Sequence, residues 1–144
     1  MNWLTRTYDR EVGLQQDARL IDLATGVGVS YVAHGDPAGT PVVLLHAWVE
    51  SLRSFDRLTP LLPPSLYTLA VDQRGHGDSD KPSHGYDLAS LGADVVAFLD
   101  AVDLASAVLV GSSSGGYVKC GVTAWPGSAL RHRRPTREQS PPPP

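Results

Sequence analysis

A run of small, hydroxyl-bearing residues follows a short apolar stretch late in the chain. The apolar stretch is Ala107-Val-Leu-Val110, and the run after it is Gly111-Ser-Ser-Ser-Gly-Gly116. The run fits the pattern G-x-S-x-G, in which a strand turns sharply into a helix and the central serine projects its hydroxyl from the turn. The residues two before and two after that serine come close together, so both must be small. The pattern predicts a nucleophilic serine, Ser113.

Three adjacent serines leave other interpretations of this turn open. Centring the pattern on Ser112 would put Val110 where a small residue is needed. Centring it on Ser114 puts Ser112 and Gly116 at those positions, which is sterically possible. Ser113 is favoured because glycine then stands at both positions, and Ser114 remains the alternative. A Ser/Gly-rich turn without chemistry is a further interpretation of the same residues.

Two other apolar runs also end in polar residues. His46-Ala-Trp48 follows Val42-Val-Leu-Leu45, and Asp72-Gln-Arg-Gly-His-Gly-Asp-Ser-Asp80 follows Leu66-Tyr-Thr-Leu-Ala-Val71. An enzyme that transfers an acyl group must stabilise a developing oxyanion, usually with two backbone N–H groups. One comes from the residue after the nucleophile, here Ser114, and the other comes from the loop after an earlier strand.

We expect the polar side chains of these two loops to be structural. His46 is predicted to hydrogen-bond its own loop, because nothing in the sequence makes it a general base or a metal ligand. Asp72 and Arg74 can brace the glycine-rich turn over residues 72–80 through charge-assisted hydrogen bonds. A metal site at this mixture of Asp and His is an alternative interpretation.

The apolar pattern predicts the elements that position these loops. Five short runs are predicted as strands, the first two as a β-hairpin: residues 18–23, 27–33, 42–45, 66–71 and 107–110. Four apolar residues at helical spacing predict a helix that Pro60 ends or kinks: Leu52, Phe55, Leu58 and Leu62. Residues 88–102 form an amphipathic helix with Asp87 as its cap. This order predicts an α/β fold, a mainly parallel sheet with flanking helices that binds ligands beyond the carboxyl ends of its strands.

These loops, in this order, resemble the N-terminal half of an α/β-hydrolase over about residues 12–118. The matching segments are His46-Ala-Trp48, Asp72-Gln-Arg-Gly-His-Gly-Asp-Ser79 and Gly111-Ser-Ser-Ser-Gly115. Each segment alone is unspecific, but the combination is specific. One departure is visible, since family members usually carry His-Gly where this chain has His46-Ala47.

The resemblance implies an enzyme, a serine hydrolase that acts on a carboxylic ester or a related acyl compound. It implies Ser113 as the nucleophile and the backbone N–H groups of Trp48 and Ser114 as the oxyanion hole, with no metal or other cofactor. A serine at this position argues against the epoxide hydrolases and haloalkane dehalogenases of the same fold, which use aspartate there. A cofactor-free perhydrolase or haloperoxidase would keep the serine.

The second half of such a hydrolase is missing from the sequence. The family's catalytic acid and histidine follow the nucleophile along the chain, but after Ser113 only Glu138 and His132 have these side chains. Both lie among arginines and prolines with no preceding strand, so neither is assigned to the triad. We predict a partial hydrolase domain over residues 1–126 and a disordered Arg/Pro-rich tail over residues 127–144. The chain is interpreted as the C-terminally truncated or frameshifted product of a longer hydrolase gene.

Composition narrows the class of protein further. The 144 residues carry a formal net charge of −3 and a single cysteine, Cys120. The charge gives no chain-wide basic field for nucleic acid, and one cysteine excludes a disulfide-built scaffold. No run approaches the roughly 18 apolar residues of a membrane span, and no signal peptide is apparent. We expect a cytoplasmic protein that acts on a small acyl or ester substrate, with no nucleic-acid or membrane partner and no predictable oligomeric state.

Two other functions fit parts of the sequence. The loop Gly111-Ser-Ser-Ser-Gly-Gly116, between a strand and a helix, could hold a phosphate with its backbone N–H groups. It lacks the Gly-Lys-Ser/Thr ending of a P-loop, and no G-x-G-x-x-G is present. The other alternative is an inactive remnant, because a serine without a positioned base is a weak nucleophile.

Overall fold

Five strands lie within residues 17–123, the part of the chain that the computed structural model describes. They are β1 (Arg19–Asp22), β2 (Gly28–Gly35), β3 (Thr40–Leu45), β4 (Leu66–Val71) and β5 (Val108–Gly111). They form one sheet in the order β1-β2-β4-β3-β5. The five predicted strands are therefore found, with ends that differ from the predicted ones by no more than two residues.

The sheet is mixed, and its parallel part leads to the three polar loops. β3 pairs in parallel with β4 on one side and with β5 on the other. The opening hairpin of β1 and β2 is antiparallel, and β2 joins the sheet antiparallel to β4. β3 is a continuous apolar run because both of its faces are covered: Val43 and Leu45 belong to the core on one face, and Val42 and Leu44 to the core on the other.

Two helices cover one face of the sheet. They are α1 (Leu88–Ala101) and α2 (Ser114–Thr123). α1 begins after Asp87, whose carboxylate accepts the N–H of Ser90 at 2.9 Å, so the predicted cap is found. Its apolar side packs into the core with the inner faces of β2, β3 and β4, and Phe98 contacts Tyr31 edge-on at 5.2 Å between ring centroids. The α/β fold predicted from the sequence is confirmed.

The opposite face is covered by the segment between β3 and β4, where a helix ended or kinked by Pro60 was predicted. This segment forms two short 3₁₀ helices, Leu52–Phe55 and Thr59–Leu61. Pro60 stands in the first turn of the second one, where its missing N–H is tolerated. Of the four apolar residues of the predicted pattern, Leu52 and Phe55 are buried against this face, whereas Leu58 is exposed and Leu62 is half-buried. A 3₁₀ turn brings residues three apart onto one side as well, so the apolar spacing did not distinguish the two kinds of helix.

The predicted domain boundary and tail lie outside residues 17–123 and stay predictions. Within the described range, no helix has the length and apolar character needed to cross a bilayer.

Candidate active site

The three polar loops begin at the same level of the sheet. Leu45, the last residue of β3, is in register with Val71 at the end of β4 and with Gly111 at the end of β5. Parallel strands place their carboxyl ends at one edge, and ligands of such sheets bind beyond that edge. The residues after Leu45, Val71 and Gly111 therefore surround one location.

Ser113 occupies a strained turn between β5 and α2. Its φ is +48°, in the left-handed region that residues other than glycine rarely adopt. The N–H groups of Gly115 and Gly116 donate to the carbonyls of Ser112 and Ser113, both at 2.9 Å, so the helix begins immediately after the turn. Strain of this kind costs on the order of 1–3 kcal/mol and is concentrated at functional sites.

Close approach of the backbone explains why glycines flank this turn. A Cβ on Gly111 would overlap backbone atoms of Gly115 and Gly116, so the residues two before and two after Ser113 are in contact, as the pattern requires. A Cβ on Gly115 would in turn overlap the carbonyl of Leu45. The geometry fits Ser113 as the centre of the turn, and Ser114 is already the first residue of α2.

Two backbone N–H groups at this edge have no acceptor. Within residues 17–123, neither the N–H of Trp48 nor that of Ser114 donates a hydrogen bond. Both residues line one cavity of about 290 Å³ at the carboxyl edge of the sheet. The side chain of Ser113 is exposed and is not among the residues that line this cavity. Ser113, Trp48 and Ser114, which the sequence singled out, thus all follow strand ends at one edge of the sheet, and Trp48 and Ser114 line the cavity there.

The loop that carries Trp48 is a tight turn. The N–H of Glu50 donates to the carbonyl of Ala47 at 3.2 Å, and the Glu50 carboxylate accepts the N–H of Ala47 at 3.3 Å and the hydroxyl of Ser54 at 3.1 Å. Val49, inside the turn, has a φ of +61°, which is strained for a β-branched residue. None of these hydrogen bonds within the turn uses the N–H of Trp48.

His46 is structural, as the sequence predicted. Its side chain is fully buried, and its Nδ1 lies 2.8 Å from the carbonyl of Ala47. A carbonyl only accepts, so Nδ1 carries the proton and Nε2 accepts the N–H of Gln73 at 3.0 Å. The Gln73 side chain returns a bond of 2.8 Å to the carbonyl of His46. Burial lowers the pKa of His46, against the opposing effect of its bond to Ala47.

Asp72 and Arg74 brace the loop after β4, but with partners the sequence did not indicate. The buried carboxylate of Asp72 accepts the N–H of Leu52 at 2.7 Å and that of Asp78 at 3.0 Å. Arg74 forms a two-pronged pair with Asp94 of α1, with both N–O distances at 2.8 Å. Asp94 also accepts the hydroxyl of Thr25 at 2.7 Å. This network joins the hairpin turn, the β4 loop and α1.

Among residues 17–123, the structure shows no hydrogen bond between the hydroxyl of Ser113 and a base. His46, His76 and His84 form their hydrogen bonds with residues other than Ser113. No group of three or more His, Cys, Asp or Glu side chains in the same range could hold a metal ion. His132 and Glu138 lie outside the described residues.

The sequence did not single out three residues at this edge. Gln73 and Tyr117 line the cavity, and Glu50 holds the turn of Trp48. Gln73 could have been found from its position, because it is the second residue past a strand end. Tyr117 stands one helical turn after Ser113 and is largely exposed, which is unusual for an aromatic side chain. Glu50 had no signal, since its role depends on the shape of the turn.

Comparisons with known proteins identify a family for this chain. A family model described as alpha/beta hydrolase fold matches residues 40–120. The non-heme chloroperoxidase of Streptomyces lividans is 38% identical over 97 residues, which are 67% of this chain and 35% of that protein. Epoxide hydrolase A of Mycobacterium tuberculosis is 39% identical over 103 residues, which are 69% of this chain and 32% of that protein.

Among solved structures, Cfl2 of Burkholderia cenocepacia superposes with a TM-score of 0.72 at 29% identity, over 78% of this chain and 38% of that one. The chain therefore spans about a third of the length of the curated relatives named above.

Proposed function

The chain belongs to the α/β-hydrolase family, and from that premise we propose that it is the nucleophile-bearing part of a serine hydrolase acting on a carboxylic ester or a related acyl compound. The observation that carries the proposal is the turn at Ser113. A left-handed serine between two contacting glycines, at the sheet edge where the N–H groups of Trp48 and Ser114 have no acceptor among residues 17–123, suits acyl transfer.

The chemistry assigns each group one task. The Ser113 Oγ attacks the acyl carbonyl carbon, its proton passes to a base, and the carbonyl oxygen becomes an oxyanion that the N–H groups of Trp48 and Ser114 stabilise. The ester C–O bond then breaks, the alcohol leaves with the proton, and water hydrolyses the acyl-enzyme to a carboxylate. One such N–H group contributes roughly 3 kcal/mol to lowering the barrier in comparable enzymes.

Serine at the turn separates this proposal from the chemistry named for one relative. Epoxide hydrolase A is similar in sequence, but by family resemblance epoxide opening uses an aspartate at this position. A serine hydroxyl forms an acyl-enzyme with an ester instead. The substrate class proposed here is therefore an acyl compound rather than an epoxide.

A second part of the proposal concerns the activity of this chain alone. Because His46, His76 and His84 form their hydrogen bonds with other residues, we propose that the isolated 144 residues hydrolyse esters near background. Without a base, the serine hydroxyl loses most of its advantage over water. The family function and the low activity of this chain are separate parts of the proposal.

An exogenous base tests both parts at once. The full chain is assayed on p-nitrophenyl acetate and butyrate with increasing imidazole, which can replace a missing histidine, and is treated with a fluorophosphonate whose adduct is located by peptide mass. We expect imidazole-dependent turnover and an adduct at Ser113, both lost in Ser113→Ala and retained in the matched variant Ser112→Ala. An adduct at Ser112 or Ser114, or retained phosphate with no adduct, would contradict the proposal.

A further inference from the structure

The cavity beside the two free N–H groups has a mainly apolar wall. Aromatic and aliphatic side chains form most of it: Trp48, Tyr86, Leu88, Leu91, Tyr117 and Val118. At about 30 Å³ for each water-sized group, its 290 Å³ has room for roughly nine such groups, which is enough for a short apolar chain. Apart from the hydroxyl groups of Ser114 and the two tyrosines, the polar side chains of this wall are Gln73 and His76.

The Gln73 side chain is already engaged. Its amide nitrogen donates to the carbonyl of His46 at 2.8 Å, while its backbone N–H is bound to the His46 ring. His76 is therefore the polar side chain of the wall to consider for a ligand.

The hydrogen bond of His76 to the backbone determines which of its ring nitrogens can accept when the ring is neutral. Its Nδ1 lies 2.9 Å from the carbonyl of Arg74, which can only accept, so Nδ1 carries the proton and the neutral ring presents a lone pair at Nε2. Within residues 17–123 no group donates to this Nε2. The ring is held between His46 and Trp48, each with its centroid 5.0 Å away, so its orientation is set by packing.

We propose that this cavity receives the acyl part of the substrate and that His76 determines specificity by accepting a hydrogen bond from a hydroxyl or N–H group on that acyl chain. The inference rests on the proposed function, which anchors the acyl carbonyl at the N–H groups of Trp48 and Ser114. A purely apolar chain would displace water from His76 Nε2 and leave it without a donor. That loss disfavours the plain chain relative to one with a suitably placed donor.

Binding of ketones tests this inference without any catalysis. 2-Heptanone has the carbonyl and the apolar chain but no donor and no leaving group, and its monohydroxy derivatives add one donor at successive carbons. The full chain carrying Ser113→Ala is titrated with each ketone at pH 8, and dissociation constants are read from the amide NMR signals of Trp48 and Ser114. We expect one hydroxyl position to bind roughly 3- to 10-fold more tightly than 2-heptanone, the range of one net hydrogen bond.

Two variants assign that preference to His76. His76→Phe keeps a ring between His46 and Trp48 but removes the acceptor, so the preference should fall to less than twofold while 2-heptanone binds at least as well. His76→Gln keeps an acceptor and should retain part of the preference, which also covers the case in which His76→Phe fails to fold.

Equal binding of all ketones, no binding of any of them, or a preference that survives in His76→Phe or is absent in a folded His76→Gln would overturn the inference. Because Ser113 is absent from these titrations, their failure is distinct from failure of the fluorophosphonate and imidazole experiments.

Discussion

Gly111 and Gly115 contact each other across the turn of Ser113, so closely that a Cβ on Gly111 would overlap the backbone of Gly115. Gly115 in turn lies against the carbonyl of Leu45 at the end of β3. Gly115 is therefore constrained twice, by Gly111 across the turn and by the carbonyl of Leu45. The neighbouring Gly116 is different, since a Cβ there would meet only the carbonyl oxygen of Gly111 at an ordinary 3.6 Å.

Alanine substitutions should separate these two glycines. Gly115→Ala should lower the free energy of unfolding by about 1–3 kcal/mol, because the new methyl group can be placed only by moving β3 or the turn. Gly116→Ala is the matched control one residue further along α2 and should be neutral or stabilising by up to about 1 kcal/mol, since alanine favours helix. Urea unfolding measures both. Equal effects of the two substitutions would show that the close approach does not constrain the turn.

The pair of Arg74 and Asp94 should be the most sensitive ion pair among residues 17–123. Both side chains are nearly buried, so Arg74→Met leaves an unpaired carboxylate and should cost about 3–5 kcal/mol of unfolding free energy. The control is Arg53→Met at the half-exposed pair of Arg53 and Asp56, which are 3.7 Å apart, and its cost should be about 0–1 kcal/mol. The double variant Arg74→Met/Asp94→Leu should recover part of the loss, and a loss that simply doubles would contradict this account.

His46 should make the protein sensitive to mild acid. Burial lowers its pKa in the folded state below the ordinary 6.5, so the unfolded chain binds the proton more tightly. The contribution of the neutral ring to stability is complete above pH 6.5 and is lost progressively as the pH falls from 6.5 toward the lowered pKa. Protonation also removes the lone pair that accepts the Gln73 N–H. Unfolding free energy measured across this range should fall less steeply in His46→Gln, which does not titrate, and an unchanged slope would refute the assignment.

Val49 should be a position where glycine improves stability. Its φ of +61° strains a β-branched residue, and its side chain is 87% exposed, so little packing is lost on removal. Val49→Gly should leave the unfolding free energy unchanged or raise it by up to about 1 kcal/mol. Relief of the backbone strain stabilises the folded state, and the greater conformational entropy of glycine in the unfolded chain offsets part of that gain. Val108→Gly is the control, because Val108 is half-exposed in the regular strand β5 and its loss should be destabilising. If Val49→Gly destabilised as much as Val108→Gly, the turn would not be strained.

Local pattern was enough to predict the elements that position the site. β4 is found over the predicted residues 66–71, and α1 begins at Leu88 behind the predicted cap Asp87. The steric requirement of the turn at Ser113 could also be predicted, because it depends on two glycines, Gly111 and Gly115, that lie close to Ser113 in the sequence.

Contacts between elements that are far apart along the chain could not be predicted from the sequence. The partner of Arg74 is Asp94 on α1 rather than the nearby Asp72, whose carboxylate is occupied by the N–H groups of Leu52 and Asp78. The hydrogen bond from Leu52 to Asp72 lies at the start of the first 3₁₀ helix, in the segment where the sequence predicted a helix. Charge and spacing do not show which of two carboxylates an arginine reaches, because that depends on how β4 and α1 pack.

The bond between Thr25 and Asp94 bears on the order in which the chain assembles. It joins residues 69 positions apart, and closing a loop of that length costs roughly 4 kcal/mol of chain entropy. α1 can form early with the Asp94 carboxylate still hydrated, but that carboxylate can leave water only when Arg74 and Thr25 reach it. The hairpin, the loop after β4 and the middle of α1 are therefore expected to form their mutual contacts together, in one late and cooperative folding step. Hydrogen exchange should then give the same opening free energy for all three segments.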